Sequence, residues 1–165
     1  TYTRCDVNIT VLAVGKLKEK YWRDAIDEYS KRLGRFCRLN ITEIRESPLR
    51  ANPSAADEEA VKAAEGRDIL EKIRPSDYVV SLEINGKSFS SEKLAEHMEK
   101  LTISGKSSVL FVIGGSLGLS REVSARADLK LSFSAMTFPH QMMRVILLEQ
   151  IYRAFKIMKN EAYHK

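Results

Sequence analysis

The sequence predicts a single α/β domain built on a mostly parallel sheet with helices on both faces. Three observations lead there. Strand and helix patterns alternate five times along the chain, the later strands are continuous apolar runs rather than alternating ones, and 165 residues suit one compact domain. In order, NITVLAVG (Asn8 to Gly15) is β-branched and stopped by glycine, the mark of a strand. From Lys18 the apolar positions Tyr21, Trp22, Ala25, Ile26, Tyr29 and Leu33 recur at three and four, so a helix follows. Leu39 to Ile44 is a second strand. SPLRANPSAADEE holds two prolines and small polar residues, a mobile-loop composition, and its acidic end opens a helix from about Asp57 to Ile73. YVVSLEI (Tyr78 to Ile84) is a third strand, closed by an Asn85-Gly86 turn. Ser90 or Ser91 caps a helix to about Ile103. SSVLFVI (Ser107 to Ile113) is a fourth strand, Ser120 caps a short helix to about Ala127, LKLSFS is a fifth strand, and a long helix runs from near Gln141 to Lys159.

Residues 1–6 carry no pattern and are read as an extension outside the domain, which takes 7–165. Apolar residues make up 44% of the chain and charged residues 30%, the balance of a soluble globular protein, and no apolar run is long enough to span a membrane. Cys5 and Cys37 are too few and too far apart for a metal site or a disulfide framework, which favours a reduced, cytoplasmic setting. The formal net charge is +5, and from Pro139 onward five basic residues stand against Glu149 and Glu161. That end of the chain is a candidate phosphate-facing surface.

FVIGGSLGLS (Phe111 to Ser120) invites a nucleotide reading, which its spacing refuses. The dinucleotide fingerprint needs G-x-G-x-x-G after the first strand and a carboxylate roughly 20 positions on. Here the order is G-G-x-x-G after the fourth strand, and Ser134 and Ala135 stand where the acid belongs. Gly86-Lys87-Ser88 and Gly105-Lys106-Ser107 imitate the end of a P-loop, but Ser81 and Lys100 occupy the positions of its leading glycine. Two readings of Gly114 and Gly115 stay open: a tight turn, or a backbone that lies close against a flat ligand at a strand end.

A second constellation runs from Phe133 to Phe155. Strand five ends in small residues, and Pro139 then biases Phe138 away from helical geometry and suits the first turn of the last helix. Two loops at neighbouring strand ends would make a concave site. In that helix, Val145, Leu148, Ile151, Phe155 and Met158, widened by Met142, Ile146, Leu147 and Tyr152, form a broad apolar stripe. It suits a core, or a helix shared with a second subunit, and Met142 and Met143 read as core filler. His140 is either a general base or a helix-start histidine bonded to a loop. His97, among Glu96, Glu99 and Lys100, reads as solvated. Arg144 and Arg153 are surface charges or phosphate ligands, and the tail EAYHK could stack on a base or fray.

NITVLAVGKLKEKYW, SLEINGKSFSSEKLA, FVIGGSLGL, LSFSAMTFPHQMMR and EQIYRAFKI…YHK together resemble the RlmH family of small ribosomal RNA methyltransferases, over nearly the whole chain after Val7. The resemblance implies a SPOUT, or α/β-knot, fold with a deep C-terminal trefoil knot, and methylation of N3 of a pseudouridine in 23S ribosomal RNA. It implies S-adenosyl-L-methionine as cofactor, held by Leu82, Gly114 and Phe133, Ser134, Ala135, Met136, Thr137 and Phe138, and a homodimer whose partner helps complete the RNA site. His140 is then the candidate for proton handling, Arg144 and Arg153 for anion stabilisation or phosphate, and Tyr163 and His164 for RNA. Neither a metal nor a membrane is expected, and the assembled ribosome or large subunit is the expected substrate. Two alternatives stand beside this: a SPOUT enzyme acting on a different RNA base, and a catalytically silent α/β module that binds RNA or a protein.

Overall fold

The computed structural model describes residues 7–164, so the 1–6 extension and Lys165 lie outside the described residues. The elements run β1 (Asn8–Val14), α1 (Lys20–Leu33), β2 (Arg38–Ile44), α2 (Ala55–Glu71), β3 (Tyr78–Ser88), α3 (Ser91–Ile103), β4 (Ser108–Ile113), α4 (Arg121–Arg126), β5 (Leu129–Ser132) and α5 (His140–Met158). Serines cap three of the helices, Ser90 and Ser120 as expected and Ser54 in addition. The Ser54 side chain accepts from the Asp57 amide while the Asp57 carboxylate accepts from the Ser54 amide, and Ser90 and Ser120 accept from Lys93 and Val123.

Five strands pair in the order β2-β1-β4-β3-β5, every pair parallel. Period-two alternation sends the side chains of each strand to two different layers. Ile9, Val11, Ala13, Phe111 and Ile113 pack with Ile26 and Leu33 of α1, Leu94 and Met98 of α3, and Leu147, Leu148, Ile151 and Phe155 of α5. Leu12, Val14, Leu110 and Val112 pack on the other face with Ile69 of α2 and Val123 of α4. The continuous apolar runs of β1 and β4 follow from this double cover. Among the described residues, no helix is long and apolar enough to cross a membrane.

Two expectations are corrected. Asn85-Gly86 does not close β3. The strand runs on to Ser88, and its pairing with β5 skips from Leu82 to Lys87, both opposite Leu131, so residues 83–86 bulge outward. Gly86 permits this because its backbone lies on that of β5: an added Cβ would sit 2.7 Å from the Lys130 carbonyl carbon. His97 is not solvated. It is half-buried, with its Nε2 2.9 Å from the Tyr78 hydroxyl and its ring against Phe89, and burial lowers its pKa. The 45–54 loop is tied down at the Ser47 amide, which donates to Glu65, and by an Arg50–Asp57 ion pair.

After β5, at one edge of the sheet, the chain must reach the start of α5, where the Gln141 side chain accepts from the Lys18 amide just past β1. Residues 133–139 therefore cross the carboxyl ends of β3 and β4. That crossing, forced by strand order, builds the site.

Candidate active site at the strand ends

A cavity of about 470 Å³ opens at the carboxyl ends of β3, β4 and β5. Its walls are three segments: the β3 bulge from Leu82 to Asn85, the glycine loop from Gly114 to Leu119, and the crossing segment with Phe133, Ser134, Met136, Thr137 and Phe138. His140 and Met143 complete it from the first turn of α5. Met143 is thus half-buried wall rather than core filler.

The glycines are needed for proximity. A Cβ on Gly114 would lie 2.8 Å from the Gly118 carbonyl carbon, and one on Gly115 would lie 3.1 Å from Val14. Gly118 takes φ +85°, which closes the loop on itself with its amide donating to the Gly115 carbonyl at 3.0 Å. Behind the loop stands Glu65 of α2, 4% exposed, whose carboxylate accepts from the Ser47 amide. Burial raises its pKa. Across the cavity the Ser134 hydroxyl accepts from the Met136 amide and so turns the crossing segment, leaving Met136 73% exposed at the rim.

The electrostatics of the wall are one-sided. Among the described residues lining the cavity, the titratable side chains are Glu83 and His140, and no lysine or arginine is present. Phosphate would find no counter-charge here, whereas a neutral or cationic ligand would meet no repulsion.

Of the residues expected at a cofactor site, Leu82, Gly114, Phe133, Ser134, Met136, Thr137 and Phe138 line this one cavity, and Ala135, exposed, does not. Of those expected to handle protons or RNA, only His140 does so. Arg144 is 2% exposed and faces away from it. Its guanidinium donates to the Glu43 carboxylate at 2.8 Å and to the Val14 and Gly15 carbonyls at 3.1 and 2.7 Å, tying the start of α5 to the end of β1. Those donors are used inside the fold, so the surface phosphate contact expected of Arg144 is not what the single chain presents.

Arg153 lies 13 residues further along α5 than His140, about 20 Å along the helix axis. It donates to Glu149 at 2.8 Å, which raises its pKa, and its guanidinium stacks over Tyr163. His164 joins Arg153 at 3.1 Å to Glu92 at 2.6 Å. The bond from His164 holds the Glu92 carboxyl below its usual range. Within the described residues the tail is latched between α3 and α5 through His164, with Tyr163 edge-on to Tyr152. Glu83, Glu65 and the bulge were not singled out in the sequence. The signal for Glu83 was present in Ser81-Leu82-Glu83, where a hydroxyl and a carboxylate two apart share one face of a strand.

Fold and cavity together define an α/β protein with a candidate small-ligand site at its strand ends. Comparison with known proteins gives this class a family. Residues 7–164 match the family described as "Predicted SPOUT methyltransferase". Proteins named ribosomal RNA large subunit methyltransferase H are similar across 96% of the chain and the whole of their own length, at 58% identity in Clostridium novyi and 54% in Alkaliphilus oremlandii. The chain belongs to the SPOUT methyltransferase family, and with membership comes its knotted α/β fold class. Solved structures agree on the fold: the A. aeolicus TrmH/SpoU tRNA modifying enzyme superposes with TM-score 0.54 at 15% identity over 99% of this chain and 84% of that one. A methylase family protein from Neisseria gonorrhoeae gives 0.52 at 12% identity over 89% and 81%.

The methyl donor of such an enzyme is S-adenosylmethionine, and the residues present fit it. The cavity has the volume of small-molecule sites. The tightly closed glycine loop forms part of the wall, apolar side chains line much of the rest, and the Glu83 carboxylate suits a cation. Among the described residues no cluster of three or more His, Cys, Asp or Glu could hold a metal ion.

Proposed function

We propose that this protein methylates N3 of a pseudouridine in 23S ribosomal RNA, acting in the cytoplasm as a homodimer on the assembled large subunit or ribosome. The observation that carries the reading is the cavity itself. The 114–119 and 133–138 loops and a strand bulge converge on a site with no basic wall residue among the described residues, in a chain whose relatives are named for large-subunit RNA methylation. When bound there, S-adenosylmethionine supplies an electrophilic methyl group on a sulfonium. The task left to the protein is alignment, which alone supplies much of a rate enhancement.

Leu82, Gly114 and the 133–138 crossing hold the donor; Ala135 takes part through the shape of that crossing rather than as wall. The target nitrogen carries a proton that must leave, and His140 takes it, a role supported by its position in the cavity wall where α5 begins. Arg144, one turn on, fixes the height of that histidine over β1. Arg153, Tyr163 and His164 serve the RNA. Arg153 stands too far along α5 to reach the cavity of its own chain, and Tyr163 and His164 pack against it, which supports a site completed by a second copy. The test is transfer of labelled methyl from S-adenosylmethionine to large subunits that lack the modification, with the product nucleoside located by mass spectrometry. Label on N3 of one pseudouridine is expected; label on another base, or none, overturns the reading.

A further inference from the structure

Glu83 has no part in the methyl transfer proposed for His140 and its neighbours, and its setting is unusual. It lines the cavity at the end of β3, on the bulge that the skipped register creates. The Ser81 hydroxyl donates to its Oε2 at 2.6 Å, and the Ser124 hydroxyl of α4 donates to both carboxylate oxygens, at 3.1 and 3.0 Å. Hydroxyl donors hold a carboxylate in place without pairing its charge. Among the described residues no lysine or arginine pairs with it, in a chain that carries 27 of them. An anion held still, uncompensated and half-buried beside a ligand cavity is waiting for a cation in the ligand.

We infer that Glu83 is a specificity residue of the donor site, which attracts the positive sulfonium of S-adenosylmethionine and so discriminates against the neutral thioether of the product, S-adenosylhomocysteine. The inference rests on the methyl-donor reading. Donor and product differ by one methyl group and one unit of charge. A cavity walled by apolar side chains recognises their shared adenosyl part equally well, and a methyl group alone gives little discrimination. A charge at close range in a partly dehydrated site discriminates more strongly. Its consequence is release of product: once the methyl has left, the attraction that held the donor has gone. Ser81 and Ser124 are positioning residues, since they act through the carboxylate.

Calorimetric titration of S-adenosylmethionine and S-adenosylhomocysteine into the full chain and into Glu83→Gln tests this, with ligand-free thermal midpoints as the check on folding. In the variant the affinity for S-adenosylmethionine falls about tenfold, equivalent to about 1.4 kcal/mol, while that for S-adenosylhomocysteine stays within about twofold. Equal losses for both ligands, or no loss for either, overturn the inference. Ser124→Ala keeps the carboxylate and removes its tie to α4, so it retains most of the discrimination. If it reproduces Glu83→Gln, the carboxylate is a structural tie and the inference fails. On the unaltered chain, sinefungin, with an ammonium in place of the sulfonium, binds more tightly than S-adenosylhomocysteine; equal affinities overturn the selector even if no variant folds. A chain that binds none of the three compounds refutes the methyl-donor reading itself, and the selector falls with it.

Discussion

Glu65 and Gly114 press on the same loop from opposite needs. Gly115 leaves its Cβ position free 3.4 Å from Glu65 Oε1, so the carboxyl group sits directly behind the ligand wall. Burial raises its pKa, so the folded protein keeps a proton that the unfolded chain has released at the same pH. Stability from this group is then full below the unfolded carboxyl pKa, about 4.3, and declines as pH rises from there through the folded value. Glu65→Gln keeps the acceptor for Ser47 without the charge. Its thermal midpoint gains on the native chain between pH 4 and pH 8, and a gap that does not change with pH would contradict the assignment. Gly114→Ala must push its Cβ against Gly118 or open the loop. Donor affinity falls at least about tenfold, read by calorimetry, while folding loses about 1–3 kcal/mol by urea denaturation, the usual cost of overpacking. These residue-scale facts were half legible. Glycine spacing excluded the nucleotide motifs and left a tight turn or a close backbone approach open, but it could not show what stood behind the loop, because Glu65 comes from a helix some fifty residues earlier.

Elements were the most legible level, since periodicity and caps act locally. Ser54, Ser90 and Ser120 start their helices where a hydroxyl precedes an acidic first turn. The failure at Asn85-Gly86 is instructive. That dipeptide is a strong hairpin signal, but a hairpin needs an antiparallel partner, and β3 lies between two parallel neighbours. With the turn excluded, the glycine serves close contact with β5, and the surplus residues become a wall of the cavity. Arg144 shows the same limit. Its charge read as surface, yet the β1 carbonyls and Glu43 hold it inside. Arg144→Met therefore takes the guanidinium from the Val14 and Gly15 carbonyls, while Glu43 still accepts from the Leu17 amide. It costs on the order of 2–3 kcal/mol in urea denaturation, and lowers methyl transfer further by loosening the first turn of α5. A variant as stable as the native chain would remove the tie from the account.

At the scale of the molecule, strand order decides everything the sequence left open. Alternation announced a parallel sheet, but the order β2-β1-β4-β3-β5, and with it the crossing of 133–139 over two strand ends, depends on contacts between distant segments. The knot came from resemblance and family membership, never from periodicity. On the proposed reading, a second copy bridges the distance between His140 and Arg153 along α5. If each copy contributes its tail to the other, Gly114→Ala and Arg153→Ala chains, each nearly inactive alone, regain about a quarter of native activity when mixed and reassembled, because half the dimers then hold one intact site. No recovery would place both functions in one chain. On the reading proposed above, recognition relies on the shape of an assembled particle. Methyl transfer is accordingly much faster on large subunits than on naked ribosomal RNA, and equal rates would count against it. The central claim is that the donor lies where the crossing segment meets the glycine loop. A crystal structure with S-adenosylhomocysteine tests it most directly. The account predicts the adenosyl group between Gly114 and the 133–138 segment, with the sulfur on the side of Glu83. Density elsewhere, such as in the cleft between α1 and β2 beside Arg144, would contradict it.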